Sequence, residues 1–161
     1  MLAGAGLATE WAVCVEVACP IDQVLASPVV VILEGERDRR QAGHCGRAAL
    51  GTTEGSGTVR VSVPCVAAAA AHLRRRLDTG WHPLFALAHH DDLTGAVVAH
   101  EVGHVLGLGH GPAGVMRPQL DRNDIMSLRA NRLTFTEADA AHLRRSAGRM
   151  VASTQPTLGN R

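Results

Sequence analysis

Three histidines and a glutamate lie at fixed offsets in the stretch HEVGHVLGLGH, which spans residues 100–110. His100 and His104 are four residues apart, so on an α-helix they project from the same face, one turn apart. Two imidazoles placed in this way can bind one metal ion. Glu101 follows the first histidine, at the position from which a general base can reach a water held by that ion. This spacing predicts metal-assisted hydrolysis.

The residues after His104 predict a third ligand. Gly107 can take a positive backbone φ angle, end the helix and reverse the chain. The reversal would bring His110 back toward the first two histidines. Three imidazoles and one open position are typical of a catalytic zinc site rather than a closed structural one. A bare HExxH also occurs by chance in helices that bind nothing, but the longer HExxHxxGxxH, followed by Met116, favours a metal site.

The surrounding sequence predicts a domain that contains both strands and helices. Three segments have strand character: the β-branched run Val29–Glu34, a short segment at residues 48–50, and residues 58–63, whose apolar and polar positions alternate. Short helical pieces, one reaching Ala18 and one starting near Pro20, are expected before the first strand.

Longer helices are predicted in three segments: residues 66–77, residues 92–106, which carry the first two histidines, and residues 135–150. Asp91 or Asp92 can cap the second of these helices, and a carboxylate there also suits the helix dipole. Thr134 with Glu137 forms a capping-box pattern at the start of the third.

Length and composition limit the partners of the chain. Its 161 residues favour one domain, over residues 1–151, followed by a polar tail at residues 152–161 that we expect to be disordered. Two Trp, two Phe and no Tyr leave alanine, valine and leucine to fill the core. A formal net charge of +1 implies no strong attraction to nucleic acid or membrane surfaces. No apolar run approaches the roughly 20 residues of a membrane helix, so we expect no insertion into a membrane. We also expect the protein to be a monomer.

The four cysteines leave the redox state open. Cys14, Cys19, Cys45 and Cys65 allow three disulfide pairings, and neither pair of neighbours has CxxC spacing. Disulfides would suit an exported enzyme, and buried free thiols are the alternative. The start MLAGAGLATEW lacks the basic residues and apolar run of a signal peptide, so the compartment stays open.

The HExxHxxGxxH motif, together with Met116 in a Gly-Val-Met-Arg-Pro context, resembles the metzincin clan of zinc metalloproteases. The methionine turn, the strand-rich N-terminal half and the Leu-Thr-x-x-Glu pattern at residues 133–137 are most similar to the matrixin-type members. The motif resemblance covers about residues 92–120, and the rest of the chain matches only in the order of its elements. It implies an α+β fold in which a twisted, mostly parallel sheet packs on helices.

The resemblance also implies the roles of the site residues. His100, His104 and His110 would bind one catalytic zinc ion, Glu101 would act as the general base, and Met116 would lie in a turn beneath the metal. The implied activity is that of an endopeptidase, in which zinc activates a water and Glu101 takes and returns its proton.

Two further features of the family concern the substrate. Its members hold an extended peptide against an edge strand of the sheet, and residues 58–63 are our candidate for that strand. The segment Pro118, Gln119 and Leu120 matches the place where these enzymes wall the pocket beside the scissile bond.

The chain also departs from the family. Met126 is a second candidate for the turn methionine. Met116 is favoured because it has glycine and proline neighbours. Without tyrosine, the extra tyrosine ligand of astacin-like and serralysin-like members is absent, and no cysteine lies in the matrixin pattern that blocks the zinc. We do not expect structural calcium, because an alanine- and arginine-rich helix replaces the loops that bind it. Asp121, Asn123 and Asp124 are predicted to form a polar loop after the methionine turn, and a calcium site there is the alternative.

The other histidines are predicted to be ordinary. A polar loop is favoured over a second metal site for His89 and His90, and the remaining ones are expected to be surface or hydrogen-bonded residues: His44, His72, His82 and His142.

A rival function is a catalytically silent zinc-binding or partner-binding module on the same fold. Glu101 argues against it, because a structural site needs no base. An aminopeptidase would need a closed cleft end, which the sequence does not reveal.

Overall fold

The computed structural model describes residues 1–7, 29–35, 44–53, 55–77 and 90–154. Several predictions fall outside these ranges: the N-terminal helical pieces, Cys14, Cys19, His82, His89 and residues 155–161 of the expected tail.

Three strands form one mixed sheet. They are β1 (Val29–Glu34), β2 (Gly46–Leu50) and β3 (Gly57–Ser62), in the order β1-β3-β2. β1 is parallel to β3, and β2 is antiparallel to it. All three strands lie where the sequence predicts them, and with the helices they confirm the α+β class.

The described sheet is mixed rather than mostly parallel. The short connection between β2 and β3, in which the Gly51 N–H donates to the Ser56 carbonyl at 2.8 Å, makes a hairpin. Strands joined by so short a connection must run in opposite directions.

The prediction that residues 58–63 form an edge strand is wrong for this sheet, because β3 is its central strand. The alternation of apolar and polar residues predicts a half-exposed strand at the edge of the sheet. It arises instead because β3 buries Val59 and Val61 on one face while Arg60 on the other face is exposed. A central strand with one open face has the same alternation as an edge strand.

Four α-helices follow in the described part of the chain: α1 (Val63–Leu77), α2 (His90–Val105), α3 (Arg122–Arg129) and α4 (Glu137–Thr154). Pro64 lies in the first turn of α1, where its missing N–H costs nothing. The helix α2 begins two residues earlier than predicted, so Asp91 and Asp92 lie in its first turn rather than at the N-cap. Their carboxylates still suit the positive end of the helix dipole.

The helix α3 was not predicted. Asp121 is its N-cap and accepts from the N–H groups of Asn123 and Asp124, while the Asp124 carboxylate accepts from the Asp121 N–H. This reciprocal pair is a capping box. The acidic residues that the sequence suggested as a polar loop therefore begin a helix.

The cap of α4 lies two residues later than predicted. Thr136 Oγ1 accepts from the Asp139 N–H, and the Asp139 carboxylate accepts from the Thr136 N–H. The segment TFTEAD contains two overlapping Thr-x-x-acid patterns, and the fold uses the second one instead of Thr134 with Glu137. The helix then continues to Thr154, beyond the predicted end at residue 150 and into the expected tail.

The core lies where α2 packs against one face of the sheet. Its largest fully buried side chains are small or flexible: Met116, Leu143, Val59, Val61, Val66 and Val115. Valine, leucine and alanine supply most of the remainder, as the scarcity of aromatic residues predicts. Among the described helices, none combines the length and apolar character needed to cross a bilayer.

A disulfide joins the sheet to α1. Cys45, just before β2, is bonded to Cys65 in the first turn of α1. This bond confirms the expected disulfide chemistry for one pair and selects one partner for each of the two cysteines. It ties the start of β2, which lies close to α2, to a second element.

Candidate metal centre

The helix α2 ends in a hydrogen-bonded turn that redirects the chain. Gly107 has a φ of 88°. The Leu108 N–H donates to the Gly103 carbonyl at 2.9 Å, and the Gly107 N–H donates to the His104 carbonyl at 3.0 Å. This pair of bonds is a Schellman motif, which requires a left-handed residue at the position of Gly107. The turn brings His110 back beside α2, as the sequence predicts.

The Nε2 atoms of the three predicted ligands converge. His104 Nε2 lies 3.0 Å from His100 Nε2 and 3.2 Å from His110 Nε2. All three ligand atoms lie within 4.8 Å of one another. Two nitrogens bound to zinc at 2.0–2.1 Å with tetrahedral angles are about 3.3 Å apart. The two separations from His104 match this value, and the three histidines are close enough together to bind a metal ion.

The opposite nitrogens of two of these rings determine their tautomers. His100 Nδ1 donates to the Val115 carbonyl and His104 Nδ1 donates to the Leu108 carbonyl, each at 2.8 Å. A carbonyl oxygen can only accept, so each Nδ1 carries the proton and each Nε2 presents a lone pair. Lone pairs at this separation repel one another unless a cation lies between them.

The surroundings of His100 and His110 favour the neutral form of their imidazoles. Desolvation lowers the pKa of His100, and the nearby His104 lowers it further, whereas the hydrogen bond to Val115 opposes the shift. The pKa of His110 is also lowered, first by desolvation and then by the other two histidines. Neutral imidazole is the form that binds metal ions.

The side chain of Glu101 lies between α2 and the sheet. Val97 and Val105 are one turn before and one turn after it on the same face of the helix. Two strand glycines approach this face: a Cβ on Gly46 would lie 2.7 Å from Glu101 Cγ, and one on Gly57 would lie 3.0 Å from Val105 Cγ1. The carboxylate is thus covered on its sheet side by a strand without a side chain at the point of contact.

Glu101 is 9% exposed. Desolvation raises its pKa, and the charges of His104, His110 and His44 act in the opposite direction. A buried carboxyl with a raised pKa, next to three converging imidazoles, has the protonation behaviour of a general acid or base.

Met116 packs against α2 at Gly103, the residue before His104. It is fully buried, and a Cβ on Gly103 would lie 2.5 Å from its Sδ and 3.3 Å from Phe135 Cε1. Because Gly103 precedes His104, the thioether supports the turn of α2 that carries the ligands. Met126, the alternative candidate, lies on α3 and is 37% exposed.

The segment around Met116 also reaches His100 through hydrogen bonds. Val115, whose carbonyl holds His100, donates its N–H to the Thr134 carbonyl at 3.1 Å, and the Met116 carbonyl accepts from the Gly111 N–H at 2.9 Å. Gly114 makes the bend with a φ of 71°. The turn therefore orients a ligand as well as packing below it.

The predicted pocket residues follow this turn. Pro118 and Gln119 are exposed, and Leu120 packs partly against the core. The loop is held by Arg117, whose Nη1 donates to the carboxylates of Asp121 and Asp124 and whose Nε donates to the Pro112 carbonyl at 2.9 Å.

Two residues near the site were not selected from the sequence. His44 is exposed, as predicted, yet it lies close enough to Glu101 and His110 to influence the pKa of each. Gly46 touches Glu101. No local pattern marks either residue, since both reach the site only through the pairing of β2 with β3 and the packing of the sheet on α2.

The other described histidines lie apart from the three ligands. His72 and His90 are exposed, and His90 pairs with Asp91 at 3.0 Å. His142 is partly buried, with its ring close to the turn at Gly107.

No protein-family model, curated protein or solved structure matched the chain. The likeness to metzincins accordingly depends on the motif and its methionine, and the chemistry of the site must be argued from its own residues.

Proposed function

We propose that this protein is a zinc-dependent metalloendopeptidase of the metzincin type, similar to the matrixins, that hydrolyses peptide bonds. The observation that carries the proposal is the convergence of three imidazole Nε2 atoms beside a buried glutamate. A structural site would gain nothing from that glutamate, whereas hydrolysis requires a base at this place.

His100, His104 and His110 would hold the zinc. Three neutral nitrogen donors leave one of four tetrahedral positions open, and the exposed His110 borders the solvent side of the cluster. When bound, zinc supplies Lewis acidity, which makes a water acidic near neutral pH and polarises the scissile carbonyl. Met116 supports the ligands from below in this proposal, and calcium is not required.

Glu101 would transfer the proton. Its carboxylate accepts a proton from the attacking water and returns it to the leaving amine. Burial against β2 raises its pKa and brings it closer to the range in which one group can do both. The carbonyls of Val115 and Leu108 keep the imidazoles in the tautomer that leaves Nε2 free.

The strand β2 is our candidate for the peptide-binding edge. Of the described strands, β1 and β2 lie at the two edges of the sheet, and the first residue of β2 touches Glu101. The Cys45 carbonyl accepts from the Ser62 N–H, toward β3. Because residues of an antiparallel strand alternate in direction, the peptide groups of Gly46, Ala48 and Leu50 point the other way, toward the edge.

An extended substrate could therefore pair with β2 and place a carbonyl near the base, by β-augmentation. Pro118, Gln119 and Leu120, beyond the methionine turn, are the proposed wall of the pocket beside the scissile bond. The substrate is accordingly a protein or peptide in an extended conformation.

The test combines metal analysis with cleavage of a mixed peptide library, with and without a chelator. We expect one zinc per chain and chelator-sensitive cleavage at internal bonds. Glu101→Gln should keep the zinc and lose about 100-fold or more in kcat. Glu137→Gln, an exposed glutamate that pairs with Arg144 on α4, is the matched control and should retain activity.

The outcomes separate the candidate functions. Zinc without any cleavage would favour the catalytically silent binding module, and equal cleavage by the parent and Glu101→Gln would remove Glu101 from the mechanism. Cleavage confined to the N-terminal residue of each peptide would identify an aminopeptidase.

A further inference from the structure

Of the glycines in the described strands, Gly46 lies closest to the side chains of α2. A Cβ at this position would lie 2.7 Å from Glu101 Cγ, from Glu101 Oε1 and from Val97 Cγ1. Real Cβ atoms essentially never make contacts so short, so every other residue type would displace the strand or the glutamate. A Cβ on Gly95, by contrast, would have no neighbour within 4 Å, although Gly95 lies on the same helix.

The contact restricts where the Glu101 carboxylate can lie. Val97 and Val105 flank it along the helix, and the backbone of Gly46 closes the sheet side. The side chain is left with directions toward the histidines. Displacement of a base by about 1 Å can cost 100-fold in rate, so a contact that fixes this side chain has catalytic consequences.

The residue next to Gly46 is tied to two other elements. The Cys45 carbonyl accepts from the Ser62 N–H of β3 at 2.9 Å, and Cys45 is disulfide-bonded to Cys65 in α1. The Cys65 N–H in turn faces Ser62 Oγ at 3.4 Å. Through these links the start of β2 cannot move away from Glu101 without strain in the disulfide or loss of the pairing with β3.

We propose that Gly46 is a positioning residue for Glu101 and that the Cys45–Cys65 disulfide holds it there. The inference rests on the proposed peptidase function for its catalytic effect. The geometric part, that residue 46 determines where the Glu101 side chain lies, is independent of it.

The experiment compares the zinc-loaded parent with Gly46→Ala and Gly95→Ala. We expect Gly46→Ala to bind one zinc, to keep KM within about twofold because its peptide groups remain, and to lose at least about tenfold in kcat. Gly95→Ala, on the open side of α2, should match the parent. A change of fold alone would not confine the loss to kcat while zinc binding and KM persist.

A second variant separates crowding from positioning. In Gly46→Ala/Val97→Ala the contact with Val97 is relieved but the contact with Glu101 remains, so kcat should stay low. Recovery of kcat in this variant would overturn the inference. The paired variant Cys45→Ser/Cys65→Ser should also lose kcat at unchanged zinc content, and a parent-like kcat there would overturn the role of the disulfide.

Crystal structures of the parent and Gly46→Ala provide a readout without activity. We expect the Glu101 carboxylate to move away from residue 46 in the variant. An unmoved carboxylate overturns the inference even if the parent cleaves no peptide. Lack of cleavage by the parent would instead overturn the proposed function, so the two failures are distinct.

Discussion

At the scale of single residues, the chemistry depends on which nitrogen of each imidazole carries the proton. The sequence predicts His100 and His104 as ligands from helical spacing alone. It does not predict the carbonyls of Val115 and Leu108, which direct the lone pairs to a common point. The two carbonyls belong to the turns that follow α2, and their positions depend on how those turns pack.

Titration of the apo-protein should reveal opposite contributions from the histidines and from Glu101. The lowered pKa of His100 and His110 means that the unfolded chain binds more protons below the ordinary histidine pKa of about 6.5. Their contribution to stability is therefore present above that pH and is lost as the pH falls through the folded-state pKa. Glu101, whose pKa is raised, contributes stability at low pH that is lost as the pH rises through its folded-state pKa.

Glu101→Gln removes the second contribution. We expect the apo form of this variant to lose stability more steeply than the apo parent between about pH 6.5 and pH 5, in thermal melts at constant ionic strength. Parallel curves for the two proteins would contradict the assigned shift of the glutamate.

At the scale of elements, α2 contacts three neighbours with three sets of residues. Val97, Glu101 and Val105 face the sheet. His100 and His104 face His110, and Gly103 packs against Met116. The period of about 3.6 residues places these sets on different sides of one helix. Small residues at the contacts, rather than large apolar ones, allow such close packing.

Gly103→Ala should destabilise the protein by about 1–3 kcal/mol, because its Cβ would overlap Met116 Sδ in a packed core. The free energy of unfolding in denaturant is the measurement. Gly95→Ala on the same helix meets no atom and should instead stabilise by about 0.5–1 kcal/mol through helix propensity. If both variants unfolded alike, the packing of Met116 on α2 would be wrong.

The turn after α2 makes a separate prediction about metal affinity. Gly107→Ala forces a residue with a Cβ into a φ of 88°, which costs about 1–2 kcal/mol, and the strain displaces the path to His110. We expect zinc affinity to fall by about tenfold or more in a chelator competition assay. Gly109→Ala is the control, since a Cβ there has no neighbour within 4 Å. Equal affinities would show that the Schellman turn does not position the third ligand.

Some of these features can be predicted from the sequence, and others cannot. The motif, the helix α2 and the reversal at Gly107 follow from local rules of spacing and backbone geometry. The order of the strands and the contact of Gly46 with Glu101 do not, because β3 pairs with segments on both sides of it in the chain and the alternation of β3 fits an edge or a centre equally well. The start of α4 is ambiguous for a different reason: the segment TFTEAD contains two overlapping Thr-x-x-acid patterns, and local spacing does not choose between them.

At the scale of the whole molecule, individual links between distant parts of the chain supplement the packing of the core. The core contains few large side chains, and a disulfide between residues 20 apart supplements it. At the other end of the chain, Arg144 donates to the Ala5 carbonyl at 3.1 Å and pairs with Glu137, which holds the turn Ala3–Ala5 on α4. A metal ion held by the three histidines would add a local link within residues 100–110.

Zinc should therefore stabilise the fold in proportion to its free concentration. At about 1,000 times the dissociation constant, we expect the free energy of unfolding to rise by about 4 kcal/mol, measured by denaturation with and without chelator. His104→Ala should abolish this increment. His142→Ala, which changes a partly buried histidine outside the cluster, should retain it. A stabilisation that survives in His104→Ala would place the ion elsewhere.

Gly46, which covers Glu101, lies far along the chain from the three histidines, and this distance has a consequence for the order of folding. His100, His104, His110, their carbonyl partners and Met116 all lie within one short segment, so their contacts have low contact order and a small loop-closure cost. Gly46 comes from a distant part of the chain and reaches Glu101 only after the hairpin has docked. During refolding, zinc capture should precede the appearance of the proposed peptidase activity. An inactive site at that stage would spare the refolding chain from autolysis while its backbone is still extended.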